Sequence, residues 1–95
     1  MIIQKITFTT ELTEEEVLKV AHERADDFRA LVGLIQKYYF KTVRPNQYGG
    51  LYIWESEDQM AKYRASDLAK SIPAAYKVKG MPEIETLDIL FELRE

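Results

Sequence analysis

The stretch Gly49-Gly50-Leu51-Tyr52-Ile53-Trp54-Glu55-Ser56-Glu57-Asp58 constrains this chain more than any other. A glycine pair opens a short aromatic strand, and the strand runs almost at once into a capped helix. The glycines supply a tight turn or a close backbone approach. In a strand, Tyr52 and Trp54 point to one face and Leu51 and Ile53 to the other. A strand apolar on both faces needs a cover on both sides, and a chain of 95 residues has few ways to provide one.

The rest of the chain fits around that strand. Met1 to Thr9 reads as a strand with Ile2, Gln4, Ile6 and Phe8 on one face and Ile3, Lys5 and Thr7 on the other. Thr13-Glu14-Glu15-Glu16 has the spacing of a capping box, and three acids suit the first turn of a helix. Val17, Ala21, Ala25, Phe28 and Val32 then mark one apolar helical face, and Gly33 is a plausible stop. Leu34 to Thr42 reads as a second strand. In simple alternation, Leu34, Gln36, Tyr38 and Phe40 oppose Ile35, Lys37, Tyr39 and Lys41. Arg44-Pro45-Asn46-Gln47 is a polar turn before the glycine pair. Ser56 with Gln59 predicts a second capping box, Ser66-Asp67 a break or second cap, and Pro73 a stop or kink. Gly80-Met81-Pro82 reads as a turn and Ile84 to Leu93 as a last strand.

The order β-α-β-β-α-β with right-handed crossovers is that of the ferredoxin-like fold. This is an α+β domain over residues 1–95, with a four-stranded antiparallel sheet and both helices on one face. The other sheet face is then bare, yet the strands carry Tyr, Phe, Leu and Ile on both faces. A second copy of the same sheet is the simplest cover, so a homodimer built sheet to sheet is expected.

Composition narrows the function classes. There are no cysteines, so neither disulfide nor thiolate chemistry is available, which suits a reducing cytoplasm. No run approaches the length of a membrane span, and the first ten residues lack the basic leader and apolar core of a signal peptide. A cytoplasmic protein without a membrane partner is expected. Net charge is −3 with Lys and Arg scattered, which argues against nucleic acid as a partner. With one histidine and no acids at ligand spacing, no metal site is expected. No phosphate loop is present, because Gly49-Gly50 precedes a strand instead of a helix.

Gly33-Leu34-Ile35-Gln36-Lys37, Gly49-Gly50-Leu51-Tyr52-Ile53-Trp54 and Ile89-Leu90-Phe91-Glu92-Leu93 together carry a resemblance. The chain resembles the small YdhR-like mono-oxygenases of the dimeric α/β-barrel superfamily, over nearly its whole length. The resemblance implies a dimeric α/β barrel. It leaves the activity open among cofactor-free oxygenases, haem-degrading enzymes, cyclases, dehalogenase-like proteins and proteins of no known activity.

Two residues are candidates for catalysis. Lys37, mid-strand among aromatics, is placed to steer an acidic or phenolate ligand or to lower a nearby phenol's pKa. Its plainer reading is a packed stem with the ammonium in water or paired to Asp88 or Glu92. His22, beside the helix stripe, is either a general base facing a cavity or a partly exposed flank residue. Tyr39, Tyr52, Trp54 and Tyr63 are candidates for lining a flat substrate pocket, together with Tyr38, or else pack the core and interface.

Three functions remain. The first is a cofactor-independent mono-oxygenase acting on a small aromatic or polyketide-like molecule, with Lys37 stabilising an anion, His22 or a tyrosine moving the proton, and Trp54 and Tyr52 stacking the ring. The second is a non-catalytic dimeric module binding a small hydrophobic molecule. The third, haem degradation, ranks low: the resembling haem-degrading enzymes imply an axial histidine in the later part of the chain, residues 56–95 hold none, and His22 would have to serve.

Overall fold

Thr13 caps the first helix in both directions. Its hydroxyl accepts from the Glu16 backbone N–H at 3.2 Å, and a Glu16 carboxylate oxygen accepts from the Thr13 N–H at 2.9 Å. The computed structural model describes residues 1–94. Its elements are β1 (Ile2–Thr10), α1 (Glu14–Arg29), β2 (Leu34–Lys41), β3 (Gln47–Trp54), α2 (Glu57–Arg64), α3 (Asp67–Lys70), α4 (Ile72–Ala75) and β4 (Val78–Asp88). The strands form one antiparallel sheet in the order β2-β3-β1-β4. This is the ferredoxin-like α+β arrangement, with the helices over one sheet face. Among the described residues no helix is long and apolar enough to cross a membrane.

The second helix divides where the sequence places a break. Ser56 caps α2 by accepting from the Gln59 N–H, and Ser66 caps α3 by accepting from the Ala69 N–H. Pro73 neither ends nor kinks a helix. It sits in the first turn of α4, where its missing N–H is not needed.

Further expectations change in α1, β2 and β4. Val32 leaves the apolar stripe: α1 ends at Arg29 and Val32 is 76% exposed, beside Gly33 in the left-handed region at φ 86°. In β2, an irregularity between Leu34 and Gln36 breaks the alternation. Leu34 therefore packs on the core with the helix side of the sheet, the side that Lys37 and Tyr39 also face, instead of sharing a face with Gln36, Tyr38 and Phe40. In β4, Gly80-Met81-Pro82 is not a turn between elements. The strand begins at Val78, and these three residues take up a register shift opposite Phe8, with Gly80 at φ 67°. The strand also stops at Asp88, short of Leu93. Leu90, Phe91 and Leu93 are exposed beyond it.

The core lies between helices and sheet in two clusters. Ile2, Tyr52 and Trp54 from the sheet meet Phe28, Met60 and Tyr63 from α1 and α2. Phe8 meets Val17 and Tyr76. The helix α1 thus rests on the sheet through Phe28 near one end and Val17 near the other. Between them lie Ala21 and Ala25, too short to fill the gap beneath.

Candidate functional site

A cavity of about 240 Å³ occupies that gap. Val17, Leu18 and Ala21 form its roof, β1, β2 and β3 its floor, and Ile72 and Tyr76 one end. Gly50 keeps the floor low. A Cβ there would stand 3.1 Å from both Lys37 Cε and Tyr52 Cε1, so the missing side chain leaves room for the lysine stem and the tyrosine ring. Gly49 serves the opposite face, where a Cβ would run into the Ile6 carbonyl oxygen and the Phe40 ring. At the rim, Lys41 donates to Glu14 at 2.7 Å. The pair is exposed and adds little to stability.

Lys37 is the chemical centre of this cavity. Its Nζ lies 3.5 Å from the centroid of the Phe28 ring, 4.4 Å from that of Tyr39 and 4.5 Å from that of Tyr52. Among the described residues its ammonium makes no ion pair and no hydrogen bond. Neither Asp88 nor Glu92 pairs with it. Burial drives its pKa down to about 7, and the positive charge of Arg24 adds to the fall. The ring faces act in the opposite direction by favouring the cation.

Arg24 itself is held away from carboxylates. It donates to the Leu68 carbonyl at 3.3 Å and to Ser71 Oγ at 2.7 Å, tying α1 to the α3–α4 segment. Its buried Nε has no hydrogen-bond partner. Arg24 lines none of the cavities and acts on Lys37 only through its charge; of the charged residues that line the cavity, Lys41 is paired with Glu14 at the rim and Lys37 lies on the floor.

The tyrosines around the lysine stay protonated. Burial raises the Tyr52 hydroxyl well above the usual phenol range, and the neighbouring Tyr63 raises it further. The two hydroxyls lie 3.1 Å apart. Burial also raises Tyr63 and Tyr39 and pushes Tyr76 up to about 12. These groups are hydrogen-bonding hydroxyls, not anions, at neutral pH.

Of the seven residues singled out from the sequence, the structure brings Lys37, Tyr39 and Tyr52 together on the cavity and leaves Tyr38 exposed, away from all three cavities. Tyr63 stands behind Tyr52, and borders a second cavity on the β4 side. Trp54 is fully buried, stacked parallel to Tyr52 at 6.1 Å, with its Nε1–H donated to Gln4 Oε1 at 3.0 Å. It touches the site only through Tyr52. His22 is exposed on α1 and borders none of the three cavities. Sequence reasoning missed Tyr48, whose place beside Gly49-Gly50 on the same strand face as Tyr52 was a usable signal. It also missed Tyr76, which follows a proline-alanine run and carried none.

The model of the family described as "putative mono-oxygenase ydhR" matches residues 2–88. The chain belongs to this family. No curated protein matches it. Among solved structures, the ydhR-family chain is similar to SnoaB, a cofactor-independent oxygenase from Streptomyces nogalater. The TM-score is 0.77 at 17% identity, over 99% of this chain and 97% of that one. It is similar also to a putative antibiotic biosynthesis monooxygenase from Caulobacter crescentus, with a TM-score of 0.78 at 22% identity over 95% and 90% of the chains. A third, a putative antibiotic biosynthesis monooxygenase from Deinococcus radiodurans, gives 0.76 at 14% identity over 100% and 98%. At these identities the likeness establishes the fold.

Proposed function

We propose that this ydhR-family protein is a cofactor-independent mono-oxygenase that oxidises a small, planar, electron-rich phenol or enol. The observation that carries this reading is Lys37: an unpaired amine, poised near neutrality, on a largely apolar cavity floored by aromatic rings. Such a base matches the proton it must take at physiological pH. The amine accepts the substrate's hydroxyl proton, and the ammonium so formed stays beside the new anion. The anion passes one electron to dioxygen, and the radical pair joins as a peroxide on carbon. Loss of water then leaves a ketone. One oxygen atom enters the product and the other leaves in water. The electrons that dioxygen gains are those the substrate's CH₂ loses in becoming C=O. The protein supplies the base, the dry pocket and the orientation.

Family membership and the likeness to SnoaB support this reading, as does the location of the one histidine outside the cavities, which leaves haem without a histidine ligand there. Dissolved oxygen should fall when the protein meets a hydroxylated anthrone, and Lys37→Met should slow the uptake by about 10²-fold or more. Saturable binding with no uptake on any electron-rich substrate points instead to a binding module.

We propose also a cytoplasmic location, which the cysteine-free sequence suits, and a homodimer built sheet to sheet, which the open sheet face supports. Ile3 and Leu87 pair there, and Leu51 and Ile53 lie on the same side. A second sheet is the cover that leaves the helix-side cavity free.

A further inference from the structure

We propose that Lys37 is also a covalent capture site for carbonyl compounds: the amine set among Phe28, Tyr39 and Tyr52 on the cavity floor forms an imine with a planar aromatic aldehyde or ketone. The proposal shares its cavity with the oxygenase reading but needs no oxygen chemistry.

Three features of the site carry it. Among the described residues the amine has no carboxylate to hold it as a cation and no hydrogen bond to occupy its lone pair. The three rings fix its position beside a largely apolar volume of about 240 Å³, room for a planar fused-ring guest. Lys37 and Tyr39 also border a more polar recess of about 310 Å³, shared with Gln36 and Arg29. The amine therefore stands between an apolar chamber and a wetter one, which gives the water released a way out.

The step balances without a co-reactant. The nitrogen lone pair forms a C–N bond to the carbonyl carbon, and the carbonyl oxygen collects two protons and leaves as water. Nitrogen supplies both protons overall, so amine and carbonyl become a neutral imine and water. The depressed basicity of Lys37 supports the reaction, because only the free amine adds. At pH 7 it leaves a fraction of free amine about a thousandfold above that of an ordinary lysine. A less basic amine is a weaker nucleophile, so the net advantage in rate is smaller, about tenfold or more.

The test uses the whole protein, 2-hydroxy-1-naphthaldehyde and cyanoborohydride, without oxygen, with adducts located by peptide mass spectrometry. The expected result is labelling of Lys37 at about tenfold or more over any other lysine, with a rate that climbs through pH 7. Lys37→Arg, which keeps the charge and length, should lose that adduct and leave the slow surface labelling unchanged. Labelling spread evenly over the exposed lysines, or the same map in Lys37→Arg, would overturn the proposal. Because oxygen is excluded, either result stands apart from success or failure of oxygen uptake.

Discussion

The Nζ atom of Lys37 stands 3.5 Å from the centre of the Phe28 ring, so a strand lysine is capped by the end of a helix. Phe28 is 4% exposed and belongs to the larger core cluster. The lysine that edges the cavity is thus held by the same ring that seats α1 on the sheet. Chemistry and packing meet at this contact, and the first prediction concerns its cost.

Lys37 should make stability depend on pH. Its amine titrates near 7 when folded and near 10.4 when unfolded. Below pH 7 both states hold the proton, and the folded state bears the full penalty of a buried charge. Between about 7 and 10.4 the unfolded chain binds more protons, so stability rises with pH. The rise is of order 3–4 kcal/mol, reduced by the favourable ring contacts. Urea unfolding from pH 6.5 to 9.5 should show this gain in the natural protein and its loss in Lys37→Met. Parallel curves for the two would contradict it.

The glycine pair should split in its tolerance. Gly49→Ala drives a methyl into the Ile6 carbonyl, a backbone atom of the paired strand, and should cost about 3 kcal/mol or more. Gly50→Ala meets Lys37 Cε and Tyr52 Cε1 at 3.1 Å, contacts that side-chain shifts can relieve. It should fold, with a displaced lysine and weakened ligand binding. Thermal melts and a ligand titration of both variants check this contrast.

Much of the fold was legible because alternation and caps are local. Thr13–Glu16 forms the capping box its spacing predicts, and Ser66 caps α3; Ser56 caps α2, but among the described residues Gln59 makes no return bond, so the second box is only half formed. The misread stretches are those where the sheet overrides local signals. Gly80-Met81-Pro82 has turn composition, but pairing with β1 carries the strand through it with a register shift. Leu34 changes face because Ile35 is an extra residue against β3. Lys37, Tyr39 and Tyr52 could be read as a group from their strand positions. The cavity could not, since it depends on Ala21 and Gly50, from separate elements, leaving space together. Trp54 takes the core place of the two left open for it; a buried strand face looks the same in sequence whether it meets a ligand or a core.

The Tyr52–Tyr63 pair should be non-additive. Tyr63→Phe leaves the Tyr52 hydroxyl buried without its partner and should cost about 1–2 kcal/mol. The Tyr52→Phe/Tyr63→Phe double variant should cost less than the sum of the singles. A double-mutant cycle in urea measures the coupling.

The open sheet face should control assembly. Ile53→Lys places a charge on the face opposite Tyr52 and Trp54, away from the cavity. It should convert a dimer to a folded monomer in light scattering. A natural protein that is monomeric at micromolar concentration would contradict the sheet-to-sheet dimer.

The central claim is that Lys37 is the base that starts oxygen consumption. Initial rates of oxygen uptake with a hydroxylated anthrone, measured from pH 5.5 to 9 for the natural protein and for Lys37→Met, test it most directly. With Lys37 as the base, kcat/KM rises with pH to a plateau, with a midpoint near 7, and Lys37→Met loses about 10²-fold or more together with that midpoint. Uptake in Lys37→Met at the natural rate, with the same pH profile, would contradict it.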